Sequence, residues 1–244
     1  MRENNNLKMG LRDGLPICFG YFAVSFAFGI FAVSSGLSIL EAVFISAFNL
    51  TSAGQLAAVP IIAGGGSFIE LALTQLVINA RYALMSVSLS QRLGSTVKMR
   101  HRFLIAFANT DEIFAVSSSK EAHVGLKYML GLIVTPFLGW TLGTLVGAAA
   151  GNILPDMVVV ALQIAIYAML IAVVVPAAKD NGKVAIAALL AIALSCVFYF
   201  VPIFKLIPSG FSIIIIAVGV SALMAIFAPL PDEKGENEEV KKNA

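Results

Sequence analysis

Arg81, Asp111 and Glu112 lie within or beside stretches apolar enough to dissolve in lipid. At bilayer depth an ionisable group costs at least ~2.5–3.5 kcal/mol, so it faces a partner, a cavity or a pathway. The runs around them, Gln75-Leu-Val-Ile-Asn79-Ala-Arg81-Tyr82 and Ala108-Asn109-Thr110-Asp111-Glu112-Ile113-Phe114, set each charge beside amides or hydroxyls. Adjacent on a helix, Asp111 and Glu112 point about 100° apart and cannot both face one ligand. One of them is a candidate proton carrier or amine ligand, since loss of water favours the neutral carboxyl. The alternative makes them an internal partner for Arg81 that only holds the fold. Arg81 could grip a substrate carboxylate through two parallel hydrogen bonds. It could equally reach the membrane interface from the end of its segment.

A third polar run, Asn49-Leu-Thr51-Ser52-Ala-Gly54-Gln55, offers amides and hydroxyls around a glycine that lets a ligand approach the backbone. A half-helix starting here would turn free N–H groups and a positive dipole end toward a carboxylate. Hydrogen bonding between helices is the competing reading. With Asn79 and Arg81, these residues make up the candidate substrate-binding set. Glu41 and Glu70, near segment ends, read as solvated, and Tyr128, Trp140 and Tyr199 as interface anchors. His101 and His123 have no ligand-like spacing to another His, Cys or carboxylate, and Cys18 and Cys196 read as small hydrophobes. A phosphate-binding glycine loop, a zinc helix and a nucleophile–histidine pair are all missing from the sequence. No metal, cofactor or catalytic residue is therefore expected, and an enzyme is improbable.

The elements that must position these groups follow from hydropathy. The 244 residues are 59% hydrophobic and only 12% charged, about half the charge of a soluble domain. Eight apolar segments, 14–35, 41–62, 67–89, 103–118, 128–150, 157–176, 184–203 and 210–228, run continuously, as spanning helices do. Residues 1–13 read as a polar cytoplasmic N-terminus before a retained first span, 14–228 as one transmembrane domain, and 229–244 as a disordered charged tail. The net charge of +2 is spread between loops and gives nucleic acid no basic face.

Segments 41–62 and 103–118 are the two interrupted by polar residues. Basic loops lie at the N-terminus, at Arg92–Arg102, at Lys120–Lys127 and at Lys179 with Lys183. If the two interrupted segments enter and leave on one side, all four loops and both termini fall on the cytoplasmic side, as the positive-inside rule asks. The expected fold is all-α and polytopic, with about six full transmembrane helices plus two broken or re-entrant segments meeting near the midplane. Interrupted segments of this kind mark substrate sites in transporters. Gly139, Gly143, Gly147 and Gly151 share one helix face, open either to packing within the chain or to a second subunit.

The chain resembles the AzlC family of branched-chain amino-acid permeases. Four runs carry the resemblance in family order: Gly10-Leu-Arg-Asp-Gly-Leu-Pro16, Ser52-Ala-Gly54-Gln55, Val77-Ile-Asn79-Ala-Arg81-Tyr82-Ala-Leu-Met-Ser86, and Thr110-Asp111-Glu112-Ile-Phe114-Ala115. The overall similarity covers roughly residues 8–228. It implies export of branched-chain amino acids across a bacterial inner membrane. It also implies a small membrane partner subunit of the AzlD type, for which the glycine face is a candidate contact. The expectation is a secondary transporter, coupled to protons. Its substrate carboxylate would lie at Asn49–Gln55 with Arg81, and its amine or coupling proton at Asp111 or Glu112. A passive channel for a small polar solute and a non-transporting assembly subunit are the rivals.

Overall fold

Asn6 opens the first helix, its side chain accepting from the backbone N–H groups of Lys8 (3.0 Å) and Met9 (3.3 Å). The computed structural model describes residues 3–151 and 153–228, so the predicted tail at 229–244 lies outside the described residues. Two compact units divide the chain, Met1–Leu170 and Ile171–Ala244. Apart from two-residue strands, Glu3–Asn4 (β1) paired in parallel with His123–Val124 (β2), the described residues form helices and turns.

The first unit begins with α1, Leu7–Ser34, followed by α2, Ile39–Phe48, and α3, Ser52–Ala63. The order then repeats as a long helix and two short ones: α4, Phe68–Ser90, α5, Met99–Phe107, and α6, Asp111–Ser118. Next come α7, Leu126–Ala150, and α8, Asp156–Asp180. Both interrupted segments are thus broken helices, parted at 49–51 and 108–110. α1 starts at Leu7 rather than at residue 14, so half of the predicted polar N-terminus is helical. Asp13 has partners there: it meets Lys120 at 2.8 Å and accepts from the Tyr128 hydroxyl at 2.8 Å.

Side-chain caps explain where α2, α3, α4 and α6 start. At α2, Ser38 and Glu41 form a reciprocal capping box, the Ser38 N–H donating to Glu41 Oε2 at 2.7 Å. Glu41 therefore serves the helix end. Glu70 occupies the same position in α4, where Ser67 Oγ accepts its N–H at 3.1 Å. At 4% exposure Glu70 is buried rather than solvated, because the turn at Gly64–Gly66 folds back over it. Thr51 caps α3 by accepting from Gly54 N at 3.0 Å, and Thr110 caps α6 by accepting from Ile113 N at 3.4 Å.

α1 and α7 pack backbone to backbone. A methyl group added at Gly139, Gly143 or Gly147 would run into the carbonyls of Cys18, Phe22 or Phe26, and one at Gly10 into that of Tyr128. Gly151 closes the row beside the Ile30 backbone. Small residues permit this approach, where dispersion and weak Cα–H···O contacts replace side-chain packing. The glycine face is therefore occupied within the chain, the first of the two uses that its spacing left open. Around this pair, Val59, Ala42 and Phe28 pack α2 and α3, and Ile105, Ile113 and Leu132 pack α5 and α6. Large apolar side chains such as Phe19, Leu40 and Leu84 point outward from the first unit, as a lipid-facing surface requires.

In the second unit α9, Gly182–Phe200, and α10, Ser209–Phe227, pack together across a 3-10 turn at Pro202–Leu206. Tyr199 there is 73% exposed, in keeping with an interface residue. α1, α7, α9 and α10 are each long and apolar enough to cross a bilayer, and α4 and α8 match them in length at 23 and 25 residues. The chain is an all-α polytopic membrane protein.

Candidate functional site

Thr51 and Thr110 each end a break and start a half-helix, and the breaks face two cavities in the first unit. The larger, of about 380 Å³, has Pro16, Ile17, Tyr21 and Val24 of α1 on one side. Ser52 at the start of α3, Tyr82 of α4, Asp111 and Glu112 at the start of α6, and Trp140 of α7 complete its wall. The smaller, of about 200 Å³, is lined by the ends of α2 and α5, at Phe48, Asn49, Ala106 and Phe107, and by Asn79 of α4. Leu50, Tyr82 and Thr110 line both and so stand between them. Positive helix ends meet at the larger cavity and negative ends at the smaller.

The adjacent carboxylates diverge as their spacing demands. Asp111 turns to Arg81, which holds it with two near-parallel contacts, Nη1–Oδ1 at 3.0 Å and Nη2–Oδ2 at 2.9 Å. Arg81 also donates to the Tyr82 hydroxyl at 3.0 Å. Three of its five N–H donors are thus committed to Asp111 and Tyr82, and Arg81 is not among the residues that line the larger cavity. Glu112 turns the other way, accepting from the Tyr21 hydroxyl. That hydroxyl lies 2.6 Å from Thr110 Oγ1, so the α6 cap, Tyr21 and Glu112 form one chain. With a single proton Tyr21 donates to only one neighbour at a time, and Thr110 supplies the other hydrogen bond.

The remaining expected residues divide between the cavities and the interior. Ser52 lines the larger cavity, and Asn49, Thr51 and Asn79 line the smaller. Gln55 is fully buried, donating to Ser46 Oγ at 2.6 Å, which in turn sits 2.5 Å from Thr144 Oγ1. It ties α3 to α2 and α7 and lines neither cavity. Gly54 likewise faces α4: its carbonyl accepts from Gln75 Nε2 at 2.8 Å, and a Cβ there would lie 2.6 Å from Gln75 Oε1. A Cβ at this position would also crowd Thr51 Oγ1 and Asn49 Nδ2 of the break.

Three aromatic residues of the site carry no signal in hydropathy. Tyr21 and Trp140 meet edge to face at 5.0 Å between ring centroids, forming an aromatic wall. Trp140 is 4% exposed with Nε1 lacking a hydrogen-bond partner, so it is a cavity residue and not an interface anchor. Tyr128 is fully buried against Asp13, which corrects the same expectation. The neighbours Pro16 and Gly20 were the available sequence signal for Tyr21, since both disturb an otherwise regular helix face. Among the described residues no cluster of three His, Cys, Asp or Glu side chains could hold a metal ion.

A polytopic helical protein with a polar cavity at two broken helices has the build of a permease. Residues 16–154 match the family described as AzlC protein, and the chain belongs to that family. This places it among membrane proteins with a transport-related role. The inner membrane protein YgaZ of Escherichia coli is 33% identical over 147 residues, covering 59% of this chain. That alignment takes in 60% of the relative's own length, less than two thirds. An uncharacterized membrane protein of Archaeoglobus fulgidus is 30% identical over 190 residues, covering 74% of this chain and 83% of the relative. One from Helicobacter pylori is 28% identical over 58% of this chain and 64% of its own length. No solved structure matches the chain.

Proposed function

We propose that this protein exports branched-chain amino acids across a bacterial inner membrane, coupled to protons and working with a small AzlD-like membrane subunit. The observation that carries the reading is the larger cavity's arrangement of opposite polar ends around an apolar wall. A zwitterion needs an anion site and a cation site at fixed separation. The start of α3 supplies the first: its first turn holds no acidic residue, and Ser52 reaches the cavity. Glu112, on the far break, supplies the second, as amine ligand or as proton carrier.

Ile17, Val24, Leu50 and Trp140 give a branched aliphatic side chain an apolar seat. A volume of about 380 Å³ suits a small molecule that is mostly buried when bound. Asp111 is assigned to holding Arg81, and Glu112 to the substrate or the proton. Both termini are placed on the cytoplasmic side, in line with the positive charge of the loops.

Proteoliposomes containing the chain with its small partner test the proposal directly. Labelled leucine should accumulate against its gradient when a pH gradient is imposed in one direction, and leave when it is reversed. Equilibration without accumulation would identify a passive channel. Failure of the purified pair to bind leucine in calorimetry would identify an assembly subunit.

A further inference from the structure

The smaller cavity has a chemistry of its own. α2 and α5 end on its wall, and the terminal carbonyls of Phe48 and Phe107 accept no backbone amide. Each helix end carries roughly half a negative elementary charge, so together they present about one. Asn79 and Asn109 also line the cavity, and in each the Oδ1 atom is buried without a hydrogen-bond partner. Asn109 is 3% exposed. Thr51 adds a hydroxyl, and no Lys, Arg, Asp or Glu lines the cavity.

The amide orientations follow from a backbone anchor. The Gly54 carbonyl can only accept, so Gln75 presents Nε2 to it at 2.8 Å. Gln75 Oε1 must then take the amide N–H groups of Asn49 at 2.9 Å and Asn79 at 3.2 Å. That leaves Asn79 Oδ1 as a bare acceptor. Asn109 sets Nδ2 3.3 Å from Ser86 Oγ, a hydroxyl that both donates and accepts, and its Oδ1 is buried with no partner. Buried acceptors without donors are costly, and a cation among them removes that cost.

We propose that the smaller cavity binds a monovalent alkali-metal cation through neutral oxygens of both helix breaks. Neutral ligands with about one negative charge from two helix ends balance a single positive charge, whereas divalent ions recruit carboxylates. Half-helix C-terminal ends and unwound carbonyls are the groups that hold such ions at membrane depth. The site lies in a different cavity from the proposed substrate site and does not depend on that reading.

Radioactive sodium, and rubidium in a parallel arm, should bind saturably to the purified full-length chain in nanodiscs, and choline should not displace either. Asn109→Leu should weaken binding by at least about tenfold, Asn109→Asp should keep it, and Ser86→Ala, which removes only the amide's anchor, should also keep it. Should Asn109→Leu fail to fold, Asn79→Leu takes its place, read beside thermal stabilisation of the wild-type chain by sodium over choline. Absence of saturable binding of both cations to the monodisperse wild-type chain overturns the proposal. So does equal affinity in the wild type and the leucine variant.

Discussion

Ala47-Phe48-Asn49-Leu50-Thr51 closes α2 and caps α3, and Ala106-Phe107-Ala108-Asn109-Thr110 does the same for α5 and α6. Each break follows a long helix and a short one, and each uses a threonine hydroxyl to start the next. They differ in what comes after the cap. The first continues with Ser52-Ala53-Gly54 and has no acidic residue in its first turn, whereas the second continues with Asp111 and Glu112. Under the proposed function these are complementary ends, the uncharged break for the substrate carboxylate and the acidic break for its amine or the proton.

The largest effect expected from disturbing this asymmetry is at the acidic break. Glu112→Gln should lower leucine efflux by about 10–100-fold, the ~1.5–3 kcal/mol of a charge-assisted hydrogen bond. Efflux at the wild-type rate would remove Glu112 from the site. Making the first break resemble the second comes next: Ser52→Asp puts a fixed anion at the α3 end and should lower efflux about tenfold by competing with the substrate carboxylate. If efflux is instead unchanged, the α3 end does not hold that group.

The caps provide a subtler contrast. Thr51→Ala and Thr110→Ala should each cost about 1 kcal/mol, read as a lower midpoint in denaturant titration. Each threonine also meets a tyrosine hydroxyl, Thr110 that of Tyr21 and Thr51 that of Tyr82, so the two losses should match within about 0.5 kcal/mol. A clearly larger loss at Thr110 would mean that the Thr110–Tyr21–Glu112 chain adds stability beyond the cap. Smallest of all is Asp111→Asn. The Arg81–Asp111 pair is about half exposed, with side chains at 48% and 47%, so its loss should cost under about 1 kcal/mol and change efflux far less than Glu112→Gln. Parity between the two variants would return Asp111 to the substrate site.

The breaks were legible because polar residues interrupt apolar runs, and Asn49 through Gln55 and Asn109 through Glu112 fall where the helices part. Which neighbour each group chooses was not. Sequence spacing gives the direction of Asp111 relative to Glu112, but only the approach of α4 decides that Arg81 belongs to Asp111. The glycine row of α7 was visible by its period of four, while its partner depended on Gly10 and the exposed carbonyls of α1, which no periodicity reveals. Tyr21, Tyr82 and Trp140 escaped because aromatics on apolar helices have the same hydropathy whether they face lipid, core or cavity. The early start of α1 was hidden by Lys8, Arg12 and Asp13, whose charge reads as a solvated leader although Asn6 caps a helix through it.

Backbone-to-backbone packing along the glycine row leaves α1 and α7 little room to slide, a fixed frame that carries Tyr21 and Trp140. Under the proposed export cycle, alternation of the cavity's openings would fall to the short pieces joined at 49–51 and 108–110, as paired rockers. A crosslink joining the two long rods should leave turnover untouched, whereas one clamping the rockers should stall it.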